Sequence, residues 1–340
     1  MGKYLKYIFG LFAVFIFILL FRAYLHQPET GEIKNNKPIS FDHERSIKNL
    51  SRSIQFKTIS HPDYEKFDQI QFQSFLEWLE EEYRLIFEKL EKKYIGKSLL
   101  LKWEGEDLSL DPILLTGHYD VVPVRANANE IWKEKPFSGK IDSDYVWGRG
   151  ALDDKSGVIA IMEAVGYLIK NDFSPKRTVY LSFGHDEEIG GRRGAAKVTE
   201  YLIGKGINLE WTLDEGSFLL ENIIPGVNKA VAVINVAEKG SLTIQVIGKS
   251  KGGHSSMPES NSSVGYLAEA LIKLEENPLP GKLDGISLRL FDEVSKHMPF
   301  LYKILFANLW LFEPLINSSL SNTASMNAVL RTTTAPTMLS

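Results

Sequence analysis

The sequence predicts an α/β fold in which a mostly parallel sheet carries helices on both faces. A smaller α+β domain follows it, and one N-terminal transmembrane helix precedes it. Three observations lead to this prediction. Strand-like apolar runs alternate with helical patterns from residue 113 to 216, the pattern changes near residue 237, and the first 26 residues are strongly apolar. Alternating strands and helices are typical of parallel sheets whose faces are covered by helices.

Residues 1–26 are predicted to form a signal-anchor. Tyr7 to Phe21 is uncharged and apolar, and Lys6 and Arg22 flank it. The basic N-terminus favours an orientation with the N-terminus inside and the body luminal or extracellular. A cleavable signal peptide, which would leave a secreted protein, is the alternative. We prefer the anchor because no clear A-x-A cleavage site is present. Both interpretations place the body in the secretory pathway, behind a polar linker at 27–45.

Composition and net charge argue against a nucleic-acid partner and exclude cysteine chemistry. The chain has 340 residues, a net charge of -4 and no cysteine. It therefore has no basic footprint, and no nucleic-acid partner is expected. Without cysteine, disulfides and thiolate metal sites are excluded, so any metal must be held by His, Asp and Glu.

The first folded domain is predicted over residues 46–236. Apolar residues recur at helical spacing from 67 to 90, and continuous apolar runs suit buried strands. In chain order we expect a helix within 67–90, a strand at 113–117, a helix at 155–170, a strand at 177–183, a helix at 194–206 and a strand within 207–216.

The second domain is predicted over residues 237–340. Leu242, Ile244 and Val246 alternate with polar residues, which predicts a half-exposed strand at 239–250. An amphipathic helix is expected at 263–276. This is the smaller α+β domain.

The first predicted strand ends in His118 and Asp120. Residues i and i+2 of a strand share a face, so these side chains project together from its carboxyl end. In open α/β sheets ligands bind at that end. A carboxylate beside an imidazole fixes its tautomer and directs its free nitrogen at a metal. A surface His and Asp at a turn is the alternative for this pair alone.

Acidic residues follow the next predicted elements as well. They are Asp153–Asp154, Asp186–Glu188 and Asp214–Glu215. Each group alone is explained by a helix cap or an exposed loop. Together they are predicted to lie at the same edge of the sheet as the carboxyl end of the strand that carries His118. Carboxylates and imidazole without thiolate suit a two-metal hydrolytic site.

Five motifs carry a family resemblance. GHYDVVPV, GRGALDDK, GHDEEIGG, LDEG and KGGHSSMP occur in this order. In order and spacing they resemble the M20 metallopeptidases, and within that family the carboxypeptidase S-like branch. The resemblance implies a zinc-peptidase-like catalytic domain with a lid and dimerisation domain. It also implies hydrolysis of amide bonds in N-acyl amino acids or short peptides with a free carboxylate, and a homodimer formed through the lid.

The resemblance also assigns the metal ligands. Two Zn²⁺ ions would be held by His118, Asp153, Glu188 and Asp214. Asp153 would bridge the ions, with a cis peptide to Asp154. His118 and Asp214 would complete one site, and Glu188 would bind at the other.

Three further residues receive catalytic roles from the resemblance. Asp120 would orient His118, and Glu187 would act as the general base. His254 would stabilise the oxyanion, and in dimers of the family this histidine can come from the neighbouring subunit.

The end of the sequence departs from the family. The family supplies a final histidine ligand for the second zinc, but no histidine follows His297 and the chain ends at Ser340. We therefore expect a C-terminally truncated chain: a fragment or mispredicted gene model of an active enzyme, a splice form, or an inactive relative that acts as a binding protein. A dinuclear aminopeptidase of another α/β family is a further alternative, against which the GGHSS segment argues.

Overall fold

The computed structural model describes residues 2–29, 39–124, 131–216, 219–221, 224, 226–257, 260 and 262–339. The chain divides into two compact units. The first unit is Asn35–Gly216, and the second combines Met1–Lys34 with Ser217–Ser340. This division precedes the predicted start of the second domain at 237, and the predicted domain bounds stay predictions. Within the predicted linker 27–45, residues 30–38 lie outside the described part.

Helices and strands are numbered along the chain. The helices are α1 (Gly2–Leu25), α2 (His43–Ile54), α3 (Gln69–Glu82), α4 (Arg84–Lys89), α5 (Lys155–Lys170), α6 (Ala195–Gly204), α7 (Ser263–Glu276), α8 (Gly285–Ser295), α9 (Phe300–Phe306), α10 (Leu309–Leu320) and α11 (Ala324–Leu330). The strands are β1 (Glu91–Ile95), β2 (Ser98–Trp103), β3 (Ile113–His118), β4 (Lys140–Ile141), β5 (Val146–Trp147), β6 (Val179–Gly184), β7 (Trp211–Leu213), β8 (Leu219–Leu220) and β9 (Val231–Ala232).

The central sheet of the first unit has five strands in the order β1-β2-β6-β3-β7. β3 pairs in parallel with β6 and β7, whereas β2 is antiparallel to β1 and β6. The predicted α/β fold is confirmed, but the sheet is mixed rather than mostly parallel. The difference comes from the β1–β2 hairpin, which the sequence reasoning missed. Its two-residue turn begins at Gly96 with φ +62°, a conformation that favours glycine.

Both faces of this sheet are buried, so helices on both faces are confirmed. Leu99 and Leu101 of β2 and Leu181 of β6 join the main core with residues of α3 and α5. The intervening Leu100 points to the opposite face and packs with Val198 of α6. This period-two alternation is what a sheet between two helical layers requires. Each fully buried leucine contributes about 1.5–3 kcal/mol.

Local sequence explains the helices that flank the site. The Asp154 carboxylate accepts a hydrogen bond from Gly157 N and caps α5, which confirms the predicted helix at 155–170. The predicted helix within 67–90 is two helices, α3 and α4, which meet at Tyr83. The Asp68 carboxylate caps the start of α3.

The second unit is built from helices around its own core. This core consists of Ile224, Val227, Leu283, Phe291, Val294, Met298, Phe306, Ile316 and Leu330. Helix α7 coincides with the predicted helix at 263–276. The predicted strand at 239–250 is wrong, because these residues form no strand and Leu242 remains 83% exposed. An alternating pattern makes a strand only where a neighbouring strand supplies hydrogen bonds.

Helix α1 is the candidate membrane span. Tyr4–Leu25 has a mean hydropathy of 2.5, and within the described residues it is the one helix long and apolar enough to cross a bilayer. A signal sequence passes the same test.

Candidate active site

The site begins where β3 ends. His118 is the last residue of the strand and pairs with Gly184 at the end of β6. Both His118 and Asp120 are buried. The His118 Nδ1 atom lies 3.0 Å from the Asp120 carbonyl oxygen and 3.3 Å from Asp120 Oδ1. This arrangement fixes the imidazole and leaves Nε2 to face the acidic loops.

Asp120 connects two of these loops. Its Oδ1 accepts a hydrogen bond from Glu187 N at 3.1 Å, and its Oδ2 accepts one from Glu188 N at 3.2 Å. Both carboxylate oxygens are thus occupied in holding the loop after β6. Asp120 therefore contacts both the His118 imidazole and the backbone of Glu187 and Glu188.

Three carboxylates surround the His118 Nε2 atom. Asp153 Oδ1 lies at 3.0 Å, Glu215 Oε1 at 3.2 Å and Glu187 Oε2 at 3.7 Å. Candidate ligand atoms of His118, Glu187 and Glu215 all lie within 4.8 Å of one another. The Asp153 side chain is 65% exposed and the Glu187 side chain is half-exposed, so one side of the cluster is open to solvent.

Asp154 lies beneath this cluster. The Asp153–Asp154 peptide is cis, as the family resemblance implies. Asp154 is buried, and its Oδ2 accepts a hydrogen bond from His118 N at 3.3 Å while its Oδ1 accepts from Gly157 N at 3.1 Å. The two adjacent acids therefore differ in role: Asp153 faces His118 Nε2, and Asp154 fastens β3 to α5.

The carboxylates of the cluster carry more negative charge than the single His118 imidazole can neutralise. Burial disfavours a charged imidazole, but the Asp120 and Glu215 carboxylates outweigh burial and raise the pKa of His118 to about 12. Burial, reinforced by the Glu215 charge, raises the pKa of Glu187 to about 7 despite the opposing effect of His118. Burial and the Glu215 charge likewise raise the pKa of Asp154 to about 7.

These shifts show that the cluster favours a bound positive charge. A proton on His118 meets this need, and a divalent cation would compete with that proton for the same nitrogen and oxygens. One imidazole nitrogen with several carboxylate oxygens suits Zn²⁺ and related ions. The residues present therefore fit the metal that the resemblance implies.

The remaining predicted ligands lie at the edges of the cluster. Glu188 Oε1 accepts a hydrogen bond from Val122 N at 3.2 Å. Burial and the nearby Asp153 charge raise the pKa of Glu188. The Asp214 carboxylate accepts a hydrogen bond from Glu215 N at 2.9 Å, and it is Glu215 whose carboxylate lies next to His118.

Sequence reasoning missed Glu215, whereas the helix cap considered for the Asp153–Asp154 pair is present at Asp154. The signal for Glu215 was the acid pair after the third predicted strand, from which only Asp214 was selected. His254 belongs to the second unit, where it is exposed and its Nδ1 lies 2.8 Å from Ser256 Oγ. Its role in the reaction stays a prediction.

The sequence matches a known protein family. Residues 114–326 match the model for peptidase family M20/M25/M40. The chain belongs to this family. It is 44% identical over 294 residues to the probable carboxypeptidase S-like 2 of Dictyostelium discoideum, covering 85% of this chain and 56% of that protein.

Other relatives are named N-fatty-acyl-amino acid synthase/hydrolase. The chain is 35% identical over 334 residues to the N-fatty-acyl-amino acid synthase/hydrolase PM20D1 of Xenopus tropicalis, covering 96% of this chain and 64% of that protein. The chain thus spans less than two thirds of the length of these relatives. Among solved structures, the M20 family metallo-carboxypeptidase Sso-CP2 of Sulfolobus solfataricus matches with a TM-score of 0.41 and 23% identity, over 53% of this chain and 38% of that one.

Proposed function

We propose that this M20 chain is a zinc-dependent hydrolase of amide bonds in N-acyl amino acids or short peptides with a free carboxylate. The observation that carries the proposal is the cluster of three carboxylates within 3.7 Å of the buried His118 Nε2 atom. The names of the relatives, carboxypeptidase S-like and N-fatty-acyl-amino acid synthase/hydrolase, support the two substrate classes.

The groups that would hold the metal come from four separate segments of the first unit. We assign His118, Asp153, Glu188 and the Asp214–Glu215 pair as the groups that would hold two Zn²⁺ ions. Bound zinc supplies positive charge that polarises the amide carbonyl and lowers the pKa of water to about 7. Asp120 keeps the proton of His118 on Nδ1, so that Nε2 presents its lone pair to the metal.

Proton transfer is assigned to Glu187. The hydrogen bond from Glu187 N to Asp120 Oδ1 holds its backbone at the edge of the cluster. Its carboxylate takes a proton from the attacking water and then gives it to the leaving amine. A pKa near 7 suits a group that must accept and donate a proton at neutral pH.

We assign stabilisation of the oxyanion to His254. An imidazole that donates a hydrogen bond to the developing negative charge lowers the barrier. In a homodimer formed through the lid, this histidine would come from the neighbouring subunit. The exposure of His254 leaves it accessible for such a contact.

The Glu187→Gln variant tests this function. We expect hydrolysis of N-fatty-acyl amino acids and dipeptides to fall by about 10²–10⁴-fold, because the amide cannot accept a proton. Zinc content, measured by elemental analysis, should stay unchanged. The matched control is Glu200→Gln on the exposed face of α6, which should keep wild-type turnover.

Two outcomes would redirect the proposal. Wild-type turnover in Glu187→Gln would refute its assignment as the base. A wild-type chain that binds zinc but cleaves neither substrate class would support the alternative, an inactive M20 relative that acts as a binding protein.

We also propose that α1 is an uncleaved signal-anchor with the body luminal or extracellular. The length and hydropathy of Tyr4–Leu25 support this topology. Resistance to alkaline carbonate extraction, with the intact N-terminus found by mass spectrometry, would support it. Release of a chain lacking residues 1–26 would show a cleaved signal peptide instead.

A further inference from the structure

Helices α9 and α10 of the second unit expose several large apolar side chains. Leu301 is 72% exposed, Trp310 is 62% exposed and Leu315 is 58% exposed. Large apolar side chains that are exposed on neighbouring helices are candidates for an interaction site. We call this the α9–α10 surface: Phe300, Leu301, Tyr302, Trp310, Leu311 and Leu315.

Charge is nearly absent from this part of the sequence. Between residues 298 and 330 the charged residues are Lys303 and Glu313. The Lys303 side chain is buried, and its Nζ donates a hydrogen bond to Gln27 Oε1 at 2.7 Å, just beyond the end of α1. The one cation is thus directed toward the polar end of α1 and away from the exposed apolar side chains.

Contacts with α1 run in order along the two elements. The Trp310 ring lies 6.1 Å from the Phe15 ring, Asn308 Nδ2 donates to Leu19 O at 3.1 Å, and Arg22 Nε donates to Ala307 O at 2.9 Å. Residues 310 to 303 therefore follow α1 from its middle to its end. These contacts fix which part of the α9–α10 surface lies beside which turn of the apolar helix.

The order of these contacts predicts how deep each residue of α9 and α10 would lie in a bilayer that α1 spans. Phe15 precedes Leu25 by ten residues of helix, which is about 15 Å at 1.5 Å per residue. The hydrocarbon core of a bilayer is about 30 Å thick. If α1 spans the bilayer upright with Leu25 at one interface, Phe15 lies near the centre and Trp310 lies within the hydrocarbon. Ala307 and Lys303 then lie at the interface and in the polar region.

The backbone between α9 and α10 suits this environment. In hydrocarbon every backbone polar group needs a partner within the protein. Ala307 O accepts from Arg22, while Leu19 O and Ile304 O both accept from the Asn308 amide. The chain thus supplies partners for carbonyl groups at the helix junction.

We propose that the α10 part of this surface, Trp310, Leu311 and Leu315, inserts into the outer leaflet beside α1, where lipid acyl chains cover these side chains, and that the α9 part lies at the interface. This inference rests on the proposed signal-anchor. Its continuity with the apolar face of α1 and its lack of exposed cations favour lipid as the occupant. The unit would then be held at the membrane by three helices.

Single-cysteine labelling tests this proposal, because the chain has no cysteine of its own. The full chain carrying Leu301→Cys or Leu315→Cys is labelled with an environment-sensitive nitrobenzoxadiazole probe and reconstituted into phosphatidylcholine vesicles. Phe12→Cys on α1 reports the anchor. The matched control is Leu108→Cys, a leucine of the first unit that is 69% exposed. Trp310 is left intact to keep its Phe15 contact.

We expect the Leu315 label to show blue-shifted emission and a strong loss of intensity when doxyl-labelled lipids are added, as the Phe12 label does, and the Leu301 label, at the interface, to show a smaller loss. The Leu108 label should behave as in water. Quenching at Phe12 without quenching at Leu301 and Leu315 would overturn the lipid contact while leaving the anchor. Blue-shifted but unquenched labels would show protein cover, such as a second copy, and overturn it too. Quenching at neither helix would remove both proposals, and quenching at Leu301 and Leu315 alone would keep the lipid contact without the spanning anchor.

Discussion

The carboxyl end of β3 and the segment at 239–257 contrast sharply. At β3, parallel pairing with β6 fixes the position of His118, and hydrogen bonds that the Asp120 carboxylate accepts from Glu187 N and Glu188 N fix the neighbouring loop. Along 239–257 no strand pairing occurs, and the alternating apolar residues remain exposed. The site residues that pairing positions therefore converge within their own unit, whereas His254 lies in a segment that has no such support.

The largest expected difference between the two regions is in stability. Leu181→Ala in β6 should cost the first unit about 2–5 kcal/mol, because it removes a fully buried side chain and leaves a cavity. Leu242→Ala should change stability by less than about 0.5 kcal/mol, since that side chain is already in water. Urea denaturation followed by circular dichroism measures both. Equal losses would show that the 239–250 segment is packed as a strand.

A second comparison lies within α5. A Cβ at Gly157 would overlap both carboxylate oxygens of Asp154, whereas at Gly166 the nearest atom, Ile86 Cδ1, would be 3.7 Å away. We expect Gly157→Ala to cost about 1–3 kcal/mol and to lower metal affinity through displaced Asp154. Gly166→Ala should stabilise the helix by about 0.5–1 kcal/mol. Calorimetric melting and zinc titration compare them, and identical melting temperatures would contradict the tight contact at Gly157.

The smallest expected effect concerns pH. Burial raises the pKa of Glu187 from its usual 4.5 to about 7. The folded state then binds more protons than the unfolded state between these values, so the contribution of Glu187 is present below pH 4.5 and is lost as pH rises through about 7. In metal-free protein, the melting temperature of wild type should fall relative to Glu187→Gln over that window. Saturating zinc should reverse the trend, because it favours the deprotonated carboxylates. A difference that does not change with pH would contradict the raised pKa.

The sequence predicts most of the first unit and its site. His118, Asp153 and Glu187 directly follow or precede regular elements, so strand and helix geometry brings them together. Glu215 was harder to identify, because β7 ends at Leu213 and the turn after it decides which of two adjacent acids faces His118. The β1–β2 hairpin was missed because the exposed, charged residues of β1 show no apolar alternation.

The error at 239–250 has a different physical cause. The alternation of Leu242 and Ile244 is real, but alternation specifies only which face a strand would bury. It does not supply the partner strand whose backbone groups complete the hydrogen bonds. The local apolar pattern therefore predicts a strand correctly where neighbouring strands of the same unit pair with it. It fails where no neighbouring strand supplies those hydrogen bonds.

The most direct measurement is the zinc content of the purified chain and of its His118→Ala variant after dialysis. Two ions held by His118, Asp153, Glu188 and the Asp214–Glu215 pair predict tightly bound zinc in wild type and the loss of at least one ion in His118→Ala, with circular dichroism unchanged. Wild type without bound zinc, or a variant that retains all of it, would contradict a metal centre at the end of β3.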